Sequence, residues 1–186
     1  GPAFDQLTNQ AARFNCRTRG SLTCPLVLRV PVGGGIHAPE HHSDSPESIY
    51  THTPGLKIVM PSSPYDAKGL LISAIRDPNP VIFFEPKRIY RAFREEVAED
   101  EYTIPIGEAR TVCDGDELTM VSWGATVIQC MNAIEHSEKS IELIDLRTIS
   151  PIDMETISAS VHKTGRCIVV HEAPKTCGLG AEIAAG

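Results

Sequence analysis

The sequence lacks an excess of positive charge, and it also lacks any long apolar run. Its 186 residues include 17 lysines and arginines against 24 aspartates and glutamates, which gives a formal net charge of −7. Binding of nucleic acid needs a positive face that neutralises phosphates, so this balance argues against that class of protein. The longest apolar candidate, residues 80–84, is far shorter than the ~20 residues of a membrane-spanning helix. We therefore expect neither nucleic acid nor a membrane among the partners.

Closely spaced cysteine pairs are missing as well. No two of the six cysteines have the C-x-x-C spacing that is typical of zinc and redox sites. Three of them lie within apolar stretches, where cysteine behaves as a small hydrophobe. We predict reduced thiols in an intracellular protein, with a disulfide between Cys16 and Cys24 as the alternative. No basic-then-apolar secretory leader opens the sequence.

Helical and strand patterns alternate in the first half of the chain. Hydrophobic residues make up 41% of the sequence, which is typical of a globular protein. The pattern predicts a helix over 3–14 and strands over 26–32, 57–60 and 81–84. A further helix is expected to begin at the Ser63 cap with Pro64 in its first position, and to end before Pro78.

A second series follows a charged stretch over 86–108, which we interpret as a linker between two domains. Strands over 110–113 and 118–123 flank a turn and are predicted to form a hairpin. The remaining predicted elements are helices over 126–136, 151–163 (capped by Ser150) and 178–185, and strands over 141–146 and 167–170. Together the two series predict an α/β fold with doubly wound parallel sheets.

The densest group of chemically active side chains lies in a loop after the first predicted strand. Three glycines, Gly33 to Gly35, are followed by His37, His41 and His42, with acidic residues between and after them. Histidine exchanges protons near neutral pH, and α/β sheets place ligands at loops that follow parallel strands. Acid–base catalysis, zinc binding by these histidines or Asp44, and a merely solvated loop remain open at this point.

Three weaker signals have simpler structural explanations. The Gly178-Leu179-Gly180 string before a helix is compatible with anion binding, but tight helix packing explains it equally well. Residues 114–116 read as a tight turn rather than a diphosphate motif. His171 and Glu172 follow a predicted strand, which is a position where functional residues are often found. A buried, hydrogen-bonded role for His171 explains the position equally well.

Seven strings, taken in order, resemble a single family. They are Phe4-Asp5-Gln6 with Asn9, residues 33–43, Ser45-Pro46-Glu47, and residues 52–57, 64–70, 144–148 and 163–166. They resemble the β subunit of thiamin-diphosphate-dependent 2-oxoacid dehydrogenases, the decarboxylating components of the pyruvate and branched-chain complexes. Each string alone is weak, but the ordered set spans essentially the whole chain and is specific.

The resemblance implies an α/β, transketolase-like fold. Its parts would be the C-terminal portion of a pyrimidine-binding domain over 1–92, a charged linker over 93–108, and an incomplete transketolase C-terminal-like domain over 109–186. The family's pyrimidine domain begins upstream of residue 1, so the chain is expected to be a fragment that is inactive alone. The glutamate that activates the cofactor's aminopyrimidine would lie in that upstream part.

The resemblance also implies the site residues. The family's active-site histidine, in its H-S-x-S-P-E string, corresponds to His42, and Ser43 follows it. His41 and His37 are expected to line the same pocket. The family's potassium site, which is built largely from backbone carbonyls, maps onto a strand start and a helix end, at Leu26, Val27, Ala74, Asp77 and Asn79. A helix C-terminus exposes unpaired carbonyls, which suits a cation.

The function implied is that of a β subunit in an α2β2 enzyme, an oxidoreductase. With thiamin diphosphate and Mg²⁺, whose diphosphate site belongs to the α subunit, it would decarboxylate a 2-oxoacid. The acyl group would pass to lipoyl groups on an acyltransferase core, with His42 as proton donor or positioning group. Transketolase and deoxyxylulose-phosphate synthase share the fold, but they are longer single chains with their own diphosphate motif.

The choice of substrate rests on short strings. Residues 83–87, Tyr90-Arg91 and the Ser43-x-Ser45-Pro46 string are similar to the branched-chain members, whereas residues 33–40 and 93–96 are similar to bacterial pyruvate members. We predict a branched-chain 2-oxoacid as the substrate. Pyruvate is therefore the alternative substrate, and a non-catalytic fragment is the alternative function. The expected compartment is the prokaryotic cytoplasm, or the mitochondrial matrix in a eukaryote.

Overall fold

Two four-stranded sheets organise the chain in the computed structural model, which describes residues 2–186. The helices are α1 (Pro2–Asp5), α2 (Phe14–Arg17), α3 (Glu47–Thr51), α4 (Pro64–Arg76), α5 (Ala125–Glu135), α6 (Met154–Thr164) and α7 (Leu179–Ala185). The strands are β1 (Val27–Val32), β2 (Lys57–Val59), β3 (Val81–Pro86), β4 (Arg110–Cys113), β5 (Leu118–Ser122), β6 (Ile141–Asp145), β7 (Thr148–Ser150) and β8 (Cys167–Val170). A π-helical segment (Gln6–Ala11) and two 3₁₀ turns (Glu40–His42 and Lys87–Ile89) complete the assignment.

The first sheet has the strand order β1-β3-β2-β7. Strands β1, β3 and β2 are parallel, as predicted, and β3 is the buried central strand with Phe84 fully enclosed. The helix predicted between β2 and β3 is confirmed as α4. The Ser63 side chain caps it by accepting a hydrogen bond from the Asp66 backbone N–H at 3.1 Å.

Strand β7 comes from the second half of the sequence and pairs antiparallel with β2. The prediction of a helix over 151–163 capped by Ser150 is therefore wrong at its start. Ile149 is fully buried in this strand, and α6 begins only at Met154, where Asp153 accepts from the Thr156 N–H at 3.0 Å. Ser150, the predicted cap, is itself paired with Ile58 in this strand, so the cap role passes to Asp153.

The second sheet has the order β4-β6-β5-β8, and β4 runs antiparallel to β6. The hairpin predicted for residues 110–123 is wrong, since β4 and β5 lie on opposite sides of β6. The intervening segment crosses β6 at its start, where the Glu117 N–H donates to the Ser140 carbonyl at 2.9 Å. At Gly115, a Cβ would lie 2.3 Å from the Ile141 carbonyl carbon, so only glycine allows this crossing.

The predicted N-terminal helix is split. It forms α1, the π-helical segment and α2, rather than one α-helix over 3–14. Leu7 and Ala12 are nevertheless buried, in a core that includes Ile58 and Phe84 of the first sheet and Val121 of the second. One continuous apolar cluster therefore joins the two halves of the chain.

The charged stretch predicted as a linker contains no helix or strand between Ile89 and Arg110. It packs along α4: the Lys68 ammonium group donates to the carbonyls of Glu99 (3.1 Å) and Asp100 (2.9 Å), and Ile104 is buried against Gly69. The lysine and its acceptors thus fix the path of this segment. Within residues 2–186, no helix has the length and apolar character that a bilayer crossing requires.

Two buried carboxylates and two guanidinium groups meet where the two halves of the chain are in contact. Asp66 of α4 and Asp145 of β6 are both fully buried. Arg110 Nη2 lies 3.3 Å from Asp66 Oδ2 and 3.5 Å from Asp145 Oδ2, while Arg147 Nη1 lies 3.5 Å from Asp66 Oδ1. The Ser62 hydroxyl also donates to Asp145. Burial raises the pKa of Asp145 to about 6, and the Asp66 charge contributes to the increase.

We expect Asp145→Asn to remove a pH dependence from the stability of the fold. The pKa of Asp145 is about 6 in the folded chain against the ordinary 3.8. Between these values the folded protein keeps a proton that the unfolded chain has released, so folding becomes less favourable as the pH rises through this window. Thermal unfolding should show the Tm of the wild type falling relative to that of the variant between pH 4 and pH 7.

Asp114→Asn provides the matched control, because Asp114 is exposed in the loop before β5. Its Tm difference from the wild type should stay constant over the same range. A Tm difference for Asp145→Asn that is independent of pH would contradict the assignment.

Candidate active site

The histidine loop lies at the carboxyl edge of the first sheet. Strands β1 and β3 are parallel and end side by side, with Val32 opposite Pro86. The loop over residues 33–45 leaves β1 at this edge, and Lys87 leaves β3. The Lys87 ammonium group donates a hydrogen bond to the His42 carbonyl, so the two neighbouring strand ends are joined across the loop. This is the edge at which α/β sheets bind ligands.

The three loop histidines face solvent. His37, His41 and His42 are all exposed, and the His41 side chain retains 86% of its accessible surface, with Nε2 3.6 Å from Glu40 Oε1. Ser43 is half-buried, and its hydroxyl donates to the Ala38 carbonyl. The structure thus places His42 and its predicted neighbours on one exposed loop, free of the protein's own apolar core. Their catalytic and pocket-lining roles remain predictions.

The backbone of this loop is held in conformations that ordinary residues adopt rarely. Gly33 and Gly35 have φ angles of +85° and +82°, and His37 has φ +59°. The Gly33 N–H donates to the Asp44 carbonyl at 2.8 Å, which closes the base of the loop. A Cβ at Gly33 would lie 2.8 Å from Glu172 Oε2, so a carboxylate from the second half of the chain packs directly on this backbone. The positive φ favours glycine at Gly33 and Gly35, and the adjoining carboxylate leaves little space for a side chain at Gly33.

A buried polar group under the loop was missed from the sequence. Glu47, the first residue of α3, is only 3% exposed, and its Oε1 accepts from the Trp123 indole N–H at 3.4 Å. Trp123 stacks on His171 with ring centroids 5.2 Å apart. Glu47 Oε2 and His171 Nδ1 are buried without a hydrogen-bond partner among the described residues. Burial raises the pKa of Glu47, while its own backbone N–H and the indole oppose the increase.

The sequence held one signal for this group. Glu47 belongs to the Ser45-Pro46-Glu47 string, and Trp123 is the single tryptophan of the chain. Their partnership spans 76 residues and depends on how the two sheets pack, so no local pattern predicts it. Glu47 and Trp123 also line a small cavity of about 10 Å³ beside Gly33 and Glu172. A cavity of this size holds at most about one water molecule.

The two segments that carry the positions predicted for a potassium site lie next to each other. The Val81 N–H donates to the Leu26 carbonyl at 2.8 Å, and the Cys24 N–H donates to the Pro78 carbonyl at 3.0 Å. The Ala74 carbonyl accepts from the Asp77 N–H at 3.4 Å. The Lys57 ammonium group pairs with the Asp77 carboxylate and already supplies one positive charge nearby. The potassium site therefore stays a prediction.

The glycines near the chain's C-terminal helix serve packing. A Cβ at Gly180 would lie 2.8 Å from His171 Nε2, and one at Gly178 would lie 2.4 Å from the Pro174 carbonyl oxygen. This close packing agrees with the structural explanation of the string. All six cysteines are free, which agrees with the prediction of reduced thiols and leaves no disulfide between Cys16 and Cys24.

The fold and the histidine loop together define a class of protein. One chain carries two α/β domains, and the loop lies at the carboxyl end of the first sheet. The family model for the transketolase pyrimidine-binding domain matches residues 3–92, and that for the transketolase C-terminal domain matches residues 107–186. The chain belongs to the transketolase-like family. The α/β fold and the family resemblance predicted from the sequence are thus confirmed.

Curated relatives are similar over nearly the whole of this chain. The pyruvate dehydrogenase E1 component subunit beta of Mycoplasma genitalium is 56% identical over 185 residues, and that of Staphylococcus aureus is 51% identical over 185 residues. Both alignments cover 98% of this chain and 57% of the relative, so the chain spans just over half of their length.

A solved structure shares the fold. It is described as "Split gene transketolase, inactive beta4 tetramer", and it superposes with a TM-score of 0.73 over 100% of this chain and 58% of that chain. The sequence identity is 19%, so this likeness shows the architecture alone.

The family implies thiamin diphosphate, and the described residues fit one wall of its site. The loop presents imidazoles that accept and donate protons, and a Cβ at Gly34 would meet no atom within 4 Å, so the backbone is open to a close approach there. Within residues 2–186, no three His, Cys, Asp or Glu side chains form a group that would bind a metal ion. The zinc hypothesis for His37, His41, His42 and Asp44 is therefore not supported.

Proposed function

We propose that this chain is part of the β subunit of the decarboxylating component of a 2-oxoacid dehydrogenase complex, and that its substrate is pyruvate. The observation that supports this role most directly is the exposed position of His42 at the carboxyl edge of the first sheet, next to Lys87 of the neighbouring strand. Membership of the transketolase-like family supplies the class of cofactor.

In this proposal, residues of the chain hold or transfer protons and form part of the wall of the site, while the cofactor supplies the carbon chemistry. Thiamin diphosphate, when bound, provides the electron sink for decarboxylation of a 2-oxoacid. The His42 imidazole, which is solvent-facing, donates or holds a proton at a ring nitrogen when a lipoyl group receives the acyl unit. Lys87 fixes the His42 backbone through its carbonyl, so the imidazole extends from an anchored point.

Two substrates compete for this site. The names of the similar relatives favour pyruvate over the branched-chain 2-oxoacid that residues 83–91 suggested from the sequence. One observation favours the branched-chain alternative. The Phe83-Phe84-Glu85-Pro86-Lys87 string forms the end of β3 and the first residue after it, at the same edge of the sheet as His42.

The proposal includes partners. They are an α subunit that supplies the diphosphate and Mg²⁺ site, a second β subunit, and a lipoylated acyltransferase core. The β-subunit names of the relatives support the α and β partners, and the acyltransferase core follows from the proposed reaction. Potassium at the backbone carbonyls of Leu26, Val27, Ala74, Asp77 and Asn79 belongs to the same proposal.

Substrate choice is measured with the enzyme assembled from the full β subunit and its α subunit. We expect kcat/KM for pyruvate to exceed that for 3-methyl-2-oxobutanoate by at least about 10-fold, since a pocket sized for a methyl group excludes larger branches by roughly 1–3 kcal/mol. The reverse order would establish the branched-chain alternative.

His42→Ala should slow reductive acylation of a lipoyl domain by about 10²- to 10⁴-fold, because a proton-transfer group contributes on that scale. Decarboxylation measured with an artificial electron acceptor should fall much less. The control is His162→Ala, at an exposed position of α6 in the second half of the chain, which should leave both rates unchanged. Full lipoyl acylation by the His42 variant would reject the assigned role.

A further inference from the structure

We propose that Glu172 and Arg88 form a clamp on the Gly33–Gly35 backbone and thereby position His42. The clamp joins the two domains, because Arg88 follows β3 of the first sheet and Glu172 follows β8 of the second. This inference rests on the proposed role of His42 in lipoyl acylation. It assigns a positioning role to residues that the reaction itself does not use.

Glu172 reaches the base of the histidine loop from the second domain. Its Oε2 atom lies 2.8 Å from the place where a Cβ at Gly33 would stand, so the carboxylate fills the space that a side chain would occupy. Gly33 is buried, and the Glu172 side chain is only 26% exposed. The carboxylate therefore packs against this backbone at the first residue of the loop.

Arg88 holds the other end of the glycine run. Its Cδ atom lies 2.9 Å from the position of a Cβ at Gly35, so the aliphatic stem packs on that residue. Its guanidinium group lies 3.8 Å from Glu172, measured from Nη1 to Oε1. The Gln129 amide of α5, with its oxygen turned toward the guanidinium group, accepts from Nη2 at 2.8 Å. Arg88 thus links both glycines to the second domain.

The loop beyond the clamp has few contacts of its own. His37, His41 and His42 are exposed, and the loop contributes no side chain to the apolar clusters between residues 34 and 46. The contacts that fix the loop backbone to other elements are those at Gly33 and Gly35 and the hydrogen bond from Lys87 to the His42 carbonyl. Loosening the glycine end is therefore expected to move the imidazole.

The clamp has little effect on global stability. The ion pair spans 3.8 Å, and the side chains of Arg88 and Glu172 are 45% and 26% exposed, so solvent screens it and its contribution to the stability of the whole fold is small. Its effect is local, because it opposes the opening of one loop that has a low stability of its own. A positioning role and a general structural role therefore predict different results. If Glu172 only positions the loop, removal of its carboxylate should leave Tm nearly unchanged while the loop opens more often.

The test uses the assembled enzyme with Glu172→Ala, the conservative variant Glu172→Gln, and Glu138→Ala as a matched control at an exposed loop glutamate. Hydrogen exchange at the Gly33 amide, which donates to Asp44, should be at least about 10-fold faster in Glu172→Ala, with a smaller increase in Glu172→Gln. Lipoyl acylation should fall by about 10- to 100-fold, the range expected for misplacement of a reacting group.

A double variant shows whether Glu172 acts through His42. Acylation by His42→Ala combined with Glu172→Ala should be no slower than by His42→Ala alone, since the positioning of an absent imidazole has no effect. Multiplicative losses, or unchanged exchange at Gly33 in Glu172→Ala, would overturn the proposal. If His42→Ala retains full activity while Gly33 exchange still rises, the clamp stands and the proposed role of His42 fails.

Discussion

Parallel pairing of β1 with β3 is the constraint on which the rest of the site depends. Because the two strands run in the same direction, the loop after β1 and the turn after β3 leave the sheet at the same edge. The Lys87 side chain can therefore reach the His42 carbonyl, although 45 residues separate them in sequence. The fully buried Phe84 and Ile82 keep β3 at the centre of the sheet and so keep these two strand ends together.

The second domain completes this edge instead of standing apart from it. It adds β7 to the first sheet, contributes Val121 and Ile144 to a shared apolar core, and places Trp123 over the buried Glu47. The charged network around Asp66 and Asp145 joins the same two halves. A histidine loop with few contacts of its own is thus supported on a large common interface, which is the usual way in which flexible functional segments are oriented.

Local patterns predicted those parts of the fold that local physics determines. The strand before Gly33, the Ser63-capped helix and the position of His42 after a parallel strand all follow from apolar periodicity, capping and glycine spacing. The failures occur where distant contacts decide the structure. Residues 148–150 become a strand because β2 offers them an edge, β4 and β5 separate because β6 inserts between them, and Glu47 is buried because Trp123 arrives from the other domain.

The proposed role of His42 requires its exposed imidazole to face the α subunit in the assembled enzyme. Carbethoxylation of histidines by diethyl pyrocarbonate, followed by peptide mass spectrometry, tests it most directly when the β subunit alone is compared with the assembled enzyme. The account predicts that His42 reacts readily in the free subunit, where it is exposed, and becomes protected on assembly, while His136 at the end of α5 stays reactive. Equal reactivity of His42 in both states would contradict the account.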